Sequence, residues 1–140
     1  MQIYRISRLL ARINDQRLKP IGFGVAHLPV VVALKNGEAL PQKELTRLAG
    51  IEQPSMAQML ARMERDGLIQ RSADPRDRRS SLVSLTRKTL DLLPEGRGIL
   101  SGVNEEALEG FSTEERQTFV ELLRRAMRNL EPLAKGEEEE

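Results

Sequence analysis

The chain has no cysteine and no tryptophan, and its only aromatic residues are Tyr4, Phe23, Phe111 and Phe119. Without thiols there can be no disulfide, no thiolate metal site and no thiol-based redox sensing. With so few rings, Leu, Ile, Val and Met must fill the interior. The single histidine, His27, has no Ser, Asp or Cys pattern to complete a nucleophilic triad, and a lone histidine in a first helical turn reads as structural. Paired catalytic carboxylates, a Gly-rich phosphate loop and metal-ligand spacing are also missing, so no catalytic residue, cofactor or metal is expected and an enzyme is disfavoured. The longest apolar run, Leu28 to Leu34, is too short to cross a bilayer, and the opening MQIYRISRLL has no secretory apolar region. A cytoplasmic protein is the expectation.

What is present is charge, unevenly spread. The formal net charge is only +1, yet Arg71 to Lys88 holds six basic and two acidic residues, whereas Glu105 to Glu131 holds seven acidic and four basic. A basic middle followed by an acidic end points to a polyanionic partner for the middle. The closing EEEE, residues 136–140 with the preceding glycine, reads as a disordered acidic tail. At 140 residues, 39% of them apolar, the length suits one domain or one lobe with a helical extension.

Hydrophobic spacing supplies the elements. Ile3, Ile6, Leu9, Leu10 and Ile13 recur at helical intervals over residues 2 to 19, with Arg5, Arg8 and Arg12 off that face, until Pro20 and Gly22 stop the helix. AHLPVVVALKNG reads as a short helix capped by Gly24. PQKELTRLAG and PSMAQMLARMERDG share one punctuation, a proline near the start and a glycine past the end. LIQRSA and SSLVSL are the segments with strand character, which makes Leu68 to Leu85 a β-hairpin with a long charged tip. After Thr86, a plausible N-cap, another helix meets Pro94, Gly96, Gly98 and Gly102, where a kink or break is expected. The last helix opens on a Ser112 to Glu115 capping box.

From Leu40 to Thr86 the order is helix, tight turn, helix, ribbon, which is that of a winged helix-turn-helix. The second helix keeps Met56, Met59, Leu60 and Met63 at core spacing and leaves Gln53, Ser55, Ala57, Gln58 and Arg62 on or near its outer face. A helix of that width fits the major groove, where Gln pairs bidentately with adenine and Ser reaches bases or phosphate. Arg62 and Lys43 suit phosphate. The ribbon tip DPRDRR carries Arg76, Arg78 and Arg79 beside Asp74 and Asp77. An arginine there gains from the negative potential of a narrow minor groove. A carboxylate beside its guanidinium would hold the fork in one direction. The competing class is a winged helix that binds protein instead of DNA, but such a module needs no basic tip.

LPQKEL, MERDGLIQR and above all Asp74-x-Arg76-x-x-Arg79 followed by LVSLT resemble the MarR-type transcriptional regulators, and the likeness extends over nearly the whole chain. The resemblance implies a mainly α protein with a small antiparallel β-hairpin, a homodimer on double-stranded DNA, and a repressor acting at a pseudo-palindromic operator. It implies helical dimerisation segments at 1–20 and 100–135 and a winged helix-turn-helix domain at 24–90, joined by what is usually one long helix, which Pro94 and its neighbouring glycines interrupt here as a kinked connecting helix at 91–99. It also implies that Arg76 reaches the minor groove. A small aromatic or amphipathic effector is expected between the lobes, and Arg17, His27 and Val31 are the candidate contacts. Gln58 stands where many relatives carry arginine, and Thr89 where glycine is frequent.

Overall fold

Glycine and proline fix where most elements of the chain begin and end. The computed structural model describes residues 1–135, so the expected acidic tail at 136–140 lies outside the described residues. Helix α1 (Gln2–Leu18) runs into a short 3-10 turn at Lys19–Ile21, and a second such turn at Val25–His27 leads into α2 (Leu28–Leu34). The strand β1 (Leu40–Pro41) then precedes α3 (Gln42–Ala49) and α4 (Gln53–Arg65). Strands β2 (Ile69–Ala73) and β3 (Ser81–Leu85) follow, and α5 (Arg87–Ala107) and α6 (Thr113–Lys135) close the chain. The fold is thus mainly helical with a small antiparallel sheet, as the sequence leads one to expect.

Two compact units divide it, Met1–Val103 and the part from Asn104 onward. In the first, the core gathers Val30 and Leu34 from α2, Leu45 from α3, and Met56, Leu60 and Met63 from α4, all completely buried. Leu68, Ile69, Val83 and Leu85 close it from the sheet side. Burying a side chain of this size contributes roughly 1.5–3 kcal/mol, so this cluster decides which face of α4 turns inward. Apolar residues are also left outside: Ile3, Tyr4, Ile6 and Leu9 on α1 are exposed, as are Leu122, Met127, Leu130 and Leu133 on α6. In the second unit, the expected capping box forms: the Ser112 N–H donates to Glu115 Oε1 at 2.9 Å and the Glu115 N–H to Ser112 Oγ at 3.1 Å.

The sheet has three strands in the order β1-β3-β2, where the sequence suggested a hairpin alone. The hairpin is present, paired from Ile69 opposite Leu85 to Ala73 opposite Ser81. Leu40 and Pro41 add an edge by pairing with Val83 and Leu82. Two residues are too few to show an alternating pattern, and a proline is tolerated on an edge strand because its missing N–H faces away from the ladder.

No break occurs at Pro94. Helix α5 runs without interruption from Arg87 to Ala107. An internal proline costs about 3 kcal/mol and each glycine about 1. Against that, Leu90, Leu92, Leu93, Ile99 and Leu100 pack on the core, and Gly96 is buried with its open side against Phe23 and Ile21. The start of α5 is tied down too. Thr86 donates its hydroxyl to the Gly67 carbonyl at 2.7 Å and its N–H to the Leu68 carbonyl at 3.1 Å. The buried Thr89 hydroxyl donates to the same Leu68 oxygen at 2.7 Å, which gives this side chain a task that glycine could not perform.

Gly67 and Gly96 therefore respond oppositely to alanine. A Cβ on Gly96 would meet the Phe23 ring at 3.7 Å, an ordinary contact, so Gly96→Ala is expected to leave stability unchanged or raise it by up to about 1 kcal/mol. Gly67 has open space around it but a φ of 74°. Gly67→Ala should cost about 1–2 kcal/mol of left-handed strain. Urea midpoints of the two variants measure the difference, and a loss of stability in Gly96→Ala would contradict the packing described.

Candidate nucleic-acid interface

The helix-turn-helix is built by α3 and α4. Helix α3 ends at Gly50, whose φ of 64° lets its N–H return to the Thr46 carbonyl at 3.1 Å, and α4 restarts at Gln53 with Pro54 in its first turn. Because Met56, Met59, Leu60 and Met63 are buried, the opposite side of α4 is forced outward. Gln53, Ser55, Ala57, Gln58 and Arg62 are all exposed, and so is Lys43 in the first turn of α3. Ser55, Gln58 and Arg62 follow one another at intervals of three and four residues, which at 3.6 residues per turn makes a single polar stripe.

One contact near this face was not anticipated. Gln42 Nε2 donates to Gln53 Oε1 at 3.2 Å, joining the starts of α3 and α4 and orienting the Gln53 amide. Eleven residues separate the two glutamines, so no local pattern could have paired them.

The wing is the loop of residues 74–80 between β2 and β3. Its geometry changes the role expected for Asp74. The Asp74 carboxylate accepts the backbone N–H of Arg76 at 2.9 Å, not the Arg76 guanidinium, and Asp77 accepts the N–H of Arg79 at 2.9 Å. Both are Asx turns, which a short carboxylate makes with the N–H two residues on because that donor is the nearest in reach. Among the described residues, no acidic side chain pairs with Arg76, Arg78 or Arg79. Other basic residues nearby are engaged: Arg71 lies 3.4 Å from Glu64, Arg87 lies 3.2 Å from Asp91, and Arg65 lies 3.0 Å from Asp66. Among the arginines of the basic segment read from the sequence, those without an acidic partner among the described residues thus lie at its tip.

A separate cavity of about 220 Å³ opens among Leu18, Phe23, His27, Val31, Leu93 and Leu100, with Lys35 and Arg97 also in its wall. His27 and Val31 line it, as the sequence suggested they could; Arg17 does not. Leu18 is the residue at the end of α1 that turns inward, and Arg17, one position earlier, is left exposed. The imidazole is fixed from the backbone: the Gly24 N–H donates to His27 Nδ1 at 3.1 Å. The neutral ring then carries its proton on Nε2. Asp15 on α1 accepts the Val25 N–H, which anchors the same turn. Burial pushes the His27 pKa below its ordinary value of 6.5, assisted by the Arg62 charge and opposed by Asp66 and Asp15.

Comparison with known proteins agrees with this geometry. Residues 26–81 match the model of the MarR family. Among solved structures, a MarR transcriptional regulator from Methanosarcina mazei Go1 is 23% identical with a TM-score of 0.82, over 94% of this chain and 95% of that one. A SlyA-like transcription regulator from Listeria monocytogenes is 20% identical with a TM-score of 0.84, over 99% and 92%. A mutant MarR from E. coli complexed with operator DNA is 20% identical with a TM-score of 0.77, over 89% and 90%. At these identities the likeness establishes the fold.

The His27 environment generates a pH dependence. A proton on Nδ1 would remove the acceptor for the Gly24 N–H, and the folded state holds the ring below its unfolded pKa. The unfolded chain therefore binds the extra proton first. This stabilisation is fully present above the unfolded value of 6.5 and is lost as pH falls through the lower folded value. Unfolding free energies of the wild type and His27→Gln, measured across that range, should converge as the solution is acidified. A difference that did not change with pH would remove the effect.

Proposed function

Residues 26–81 match the MarR family and lie within a winged helix-turn-helix fold, and from that premise we infer that the chain is a DNA-binding transcriptional regulator, a repressor acting as a homodimer on a pseudo-palindromic operator. The observation that carries this reading is the wing tip, where three exposed arginines have no acidic side-chain partner among the described residues. A guanidinium cluster left unneutralised at the end of a ribbon suits a polyanion, since each phosphate it meets releases condensed counterions.

In this reading the α4 stripe lies in the major groove. Gln58 and Gln53 meet base edges, Ser55 and the Ala57 methyl meet bases or sugar, and Arg62 with Lys43 meets phosphate. Arg76 enters the minor groove, with Arg78 and Arg79 along the backbone beside it. Two copies are needed to read two half-sites one helical turn apart. The exposed apolar side chains of α1 and α6 supply surface that one copy leaves in water. The effector is placed in the cavity at His27 and Val31. Its apolar wall with Lys35 and Arg97 suits an aromatic or amphipathic anion.

Two sets of variants test the reading. Gln58→Ala should change base preference at one position per half-site by about 1–3 kcal/mol, whereas Arg62→Ala should weaken binding to every sequence and lower the salt slope by about 1. Binding-site selection followed by titration at several salt concentrations reads both. Wild-type binding without salt dependence would sink the DNA reading and favour a protein partner.

Replacing Ile6 and Leu9 together by glutamate should leave the core of the first unit intact, because both side chains are exposed, while yielding monomers. Sedimentation of the variant checks this, and a stable dimer would count against α1 as an interface.

A further inference from the structure

The tip DPRDRR is two consecutive copies of Asp-x-Arg, Asp74-Pro75-Arg76 and Asp77-Arg78-Arg79. The structure treats them alike. In each, the carboxylate accepts the N–H of the arginine two residues on, at 2.9 Å. The base of the loop is closed by the Asp74 N–H to the Ser80 carbonyl at 3.4 Å, and the Ser80 N–H returns to the Asp77 carbonyl at 3.1 Å. Pro75 fixes its own φ between the first pair.

Two negative charges on a surface meant for phosphate are unfavourable by Coulomb's law, so their presence needs a compensating task. The hydrogen bonds identify that task as backbone geometry. We propose that Asp74 and Asp77 are paired positioning residues, each fixing the main chain of the arginine two positions on so that Arg76 and Arg79 leave the loop in set directions with their guanidinium groups unspent. This rests on the DNA-binding reading above. The MarR signature in this sequence takes in Asp74, Arg76 and Arg79, and the new element is that Asp77 serves Arg79 as Asp74 serves Arg76. An ordered tip gives up less conformational freedom on binding than a loose one.

Asparagine separates this account from its rivals, because its amide oxygen accepts the same N–H while the charge is gone. The probe is the duplex recovered by selection from a random pool, titrated at one fixed salt concentration with wild type, Asp74→Ala, Asp74→Asn, Asp77→Ala and Asp77→Asn. Each alanine variant should bind about three- to tenfold more weakly, the loss of one hydrogen bond's net contribution, and each asparagine variant should bind as tightly as wild type or tighter.

Amide exchange of the free protein gives a second readout: the Arg76 or Arg79 N–H should lose protection in the matching alanine variant and keep it with asparagine. Tighter binding by both variants at a position would overturn the proposal in favour of a plain basic patch. Weaker binding by both would overturn it in favour of the carboxylate charge aiming the guanidinium. Unchanged binding by all four, or unchanged amide protection in the alanine variants, also overturns it. Should wild type recover no duplex from the pool, the DNA reading falls and this proposal with it, an outcome distinct from a binding wild type with the wrong variant order.

Discussion

Two adjacent carbonyl oxygens, those of Gly67 and Leu68, hold the winged unit in register. They lie where α4 turns into β2, and the side chains and backbone that reach them come from the start of α5: Thr86 through its hydroxyl and N–H, Thr89 through its hydroxyl. Around the node, Ile69 is fixed opposite Leu85, and every pair toward the tip follows from that one, since a slip by one residue would turn Val83 and Leu85 out of the core. Thr89 is completely buried and its hydroxyl is satisfied, so a polar group in the interior adds specificity without an unpaired donor.

From this node the candidate interface follows by consequence. With the end of α4 pinned, its methionines and Leu60 settle into the core and its Ser55, Gln58 and Arg62 stripe is left outside. With β2 and β3 in register, the loop between them is short enough to be organised by its own side chains. Three flexible thioethers suit a helix packed among sheet, α2 and α3, because methionine adapts to irregular gaps where branched residues would clash. The outer face is then free to carry whatever polar set its ligand demands.

Much of this was legible in the chain itself. The Gly50 and Gly67 stops, the proline starts, the helical spacing of Met56, Met59, Leu60 and Met63, and the Ser112–Glu115 capping box are local signals, and each appears as read. The errors came where a distant partner decided the outcome. Of the kink or break expected at Pro94, the break does not occur, because the leucines around it and Gly96 against Phe23 keep α5 continuous. Leu40 and Pro41 form a strand only because β3 offers an edge. Thr86 caps α5 as read, accepting the Thr89 N–H at 3.4 Å, but its hydroxyl hydrogen goes to Gly67 nineteen residues away, which no local pattern shows. Asp74 was expected to meet a guanidinium, a long and mobile group; the backbone N–H two residues on is closer and costs less entropy to engage.

By itself, then, the sequence determined the order of elements, the inward face of α4, the basic tip and the absence of any thiol. These are matters of composition and of spacing within a turn or two, where neighbours along the chain are neighbours in space. Tertiary structure alone decided the third strand, the unbroken α5, the Gln42–Gln53 bond, the tie from Thr86 and Thr89 to the α4–β2 turn, and which wing arginines lack an acidic partner among the described residues. Each depends on which groups meet after the chain folds back, and on whether packing repays a local cost. No window of sequence contains that information, because the competing terms come from residues that approach one another only in the folded state.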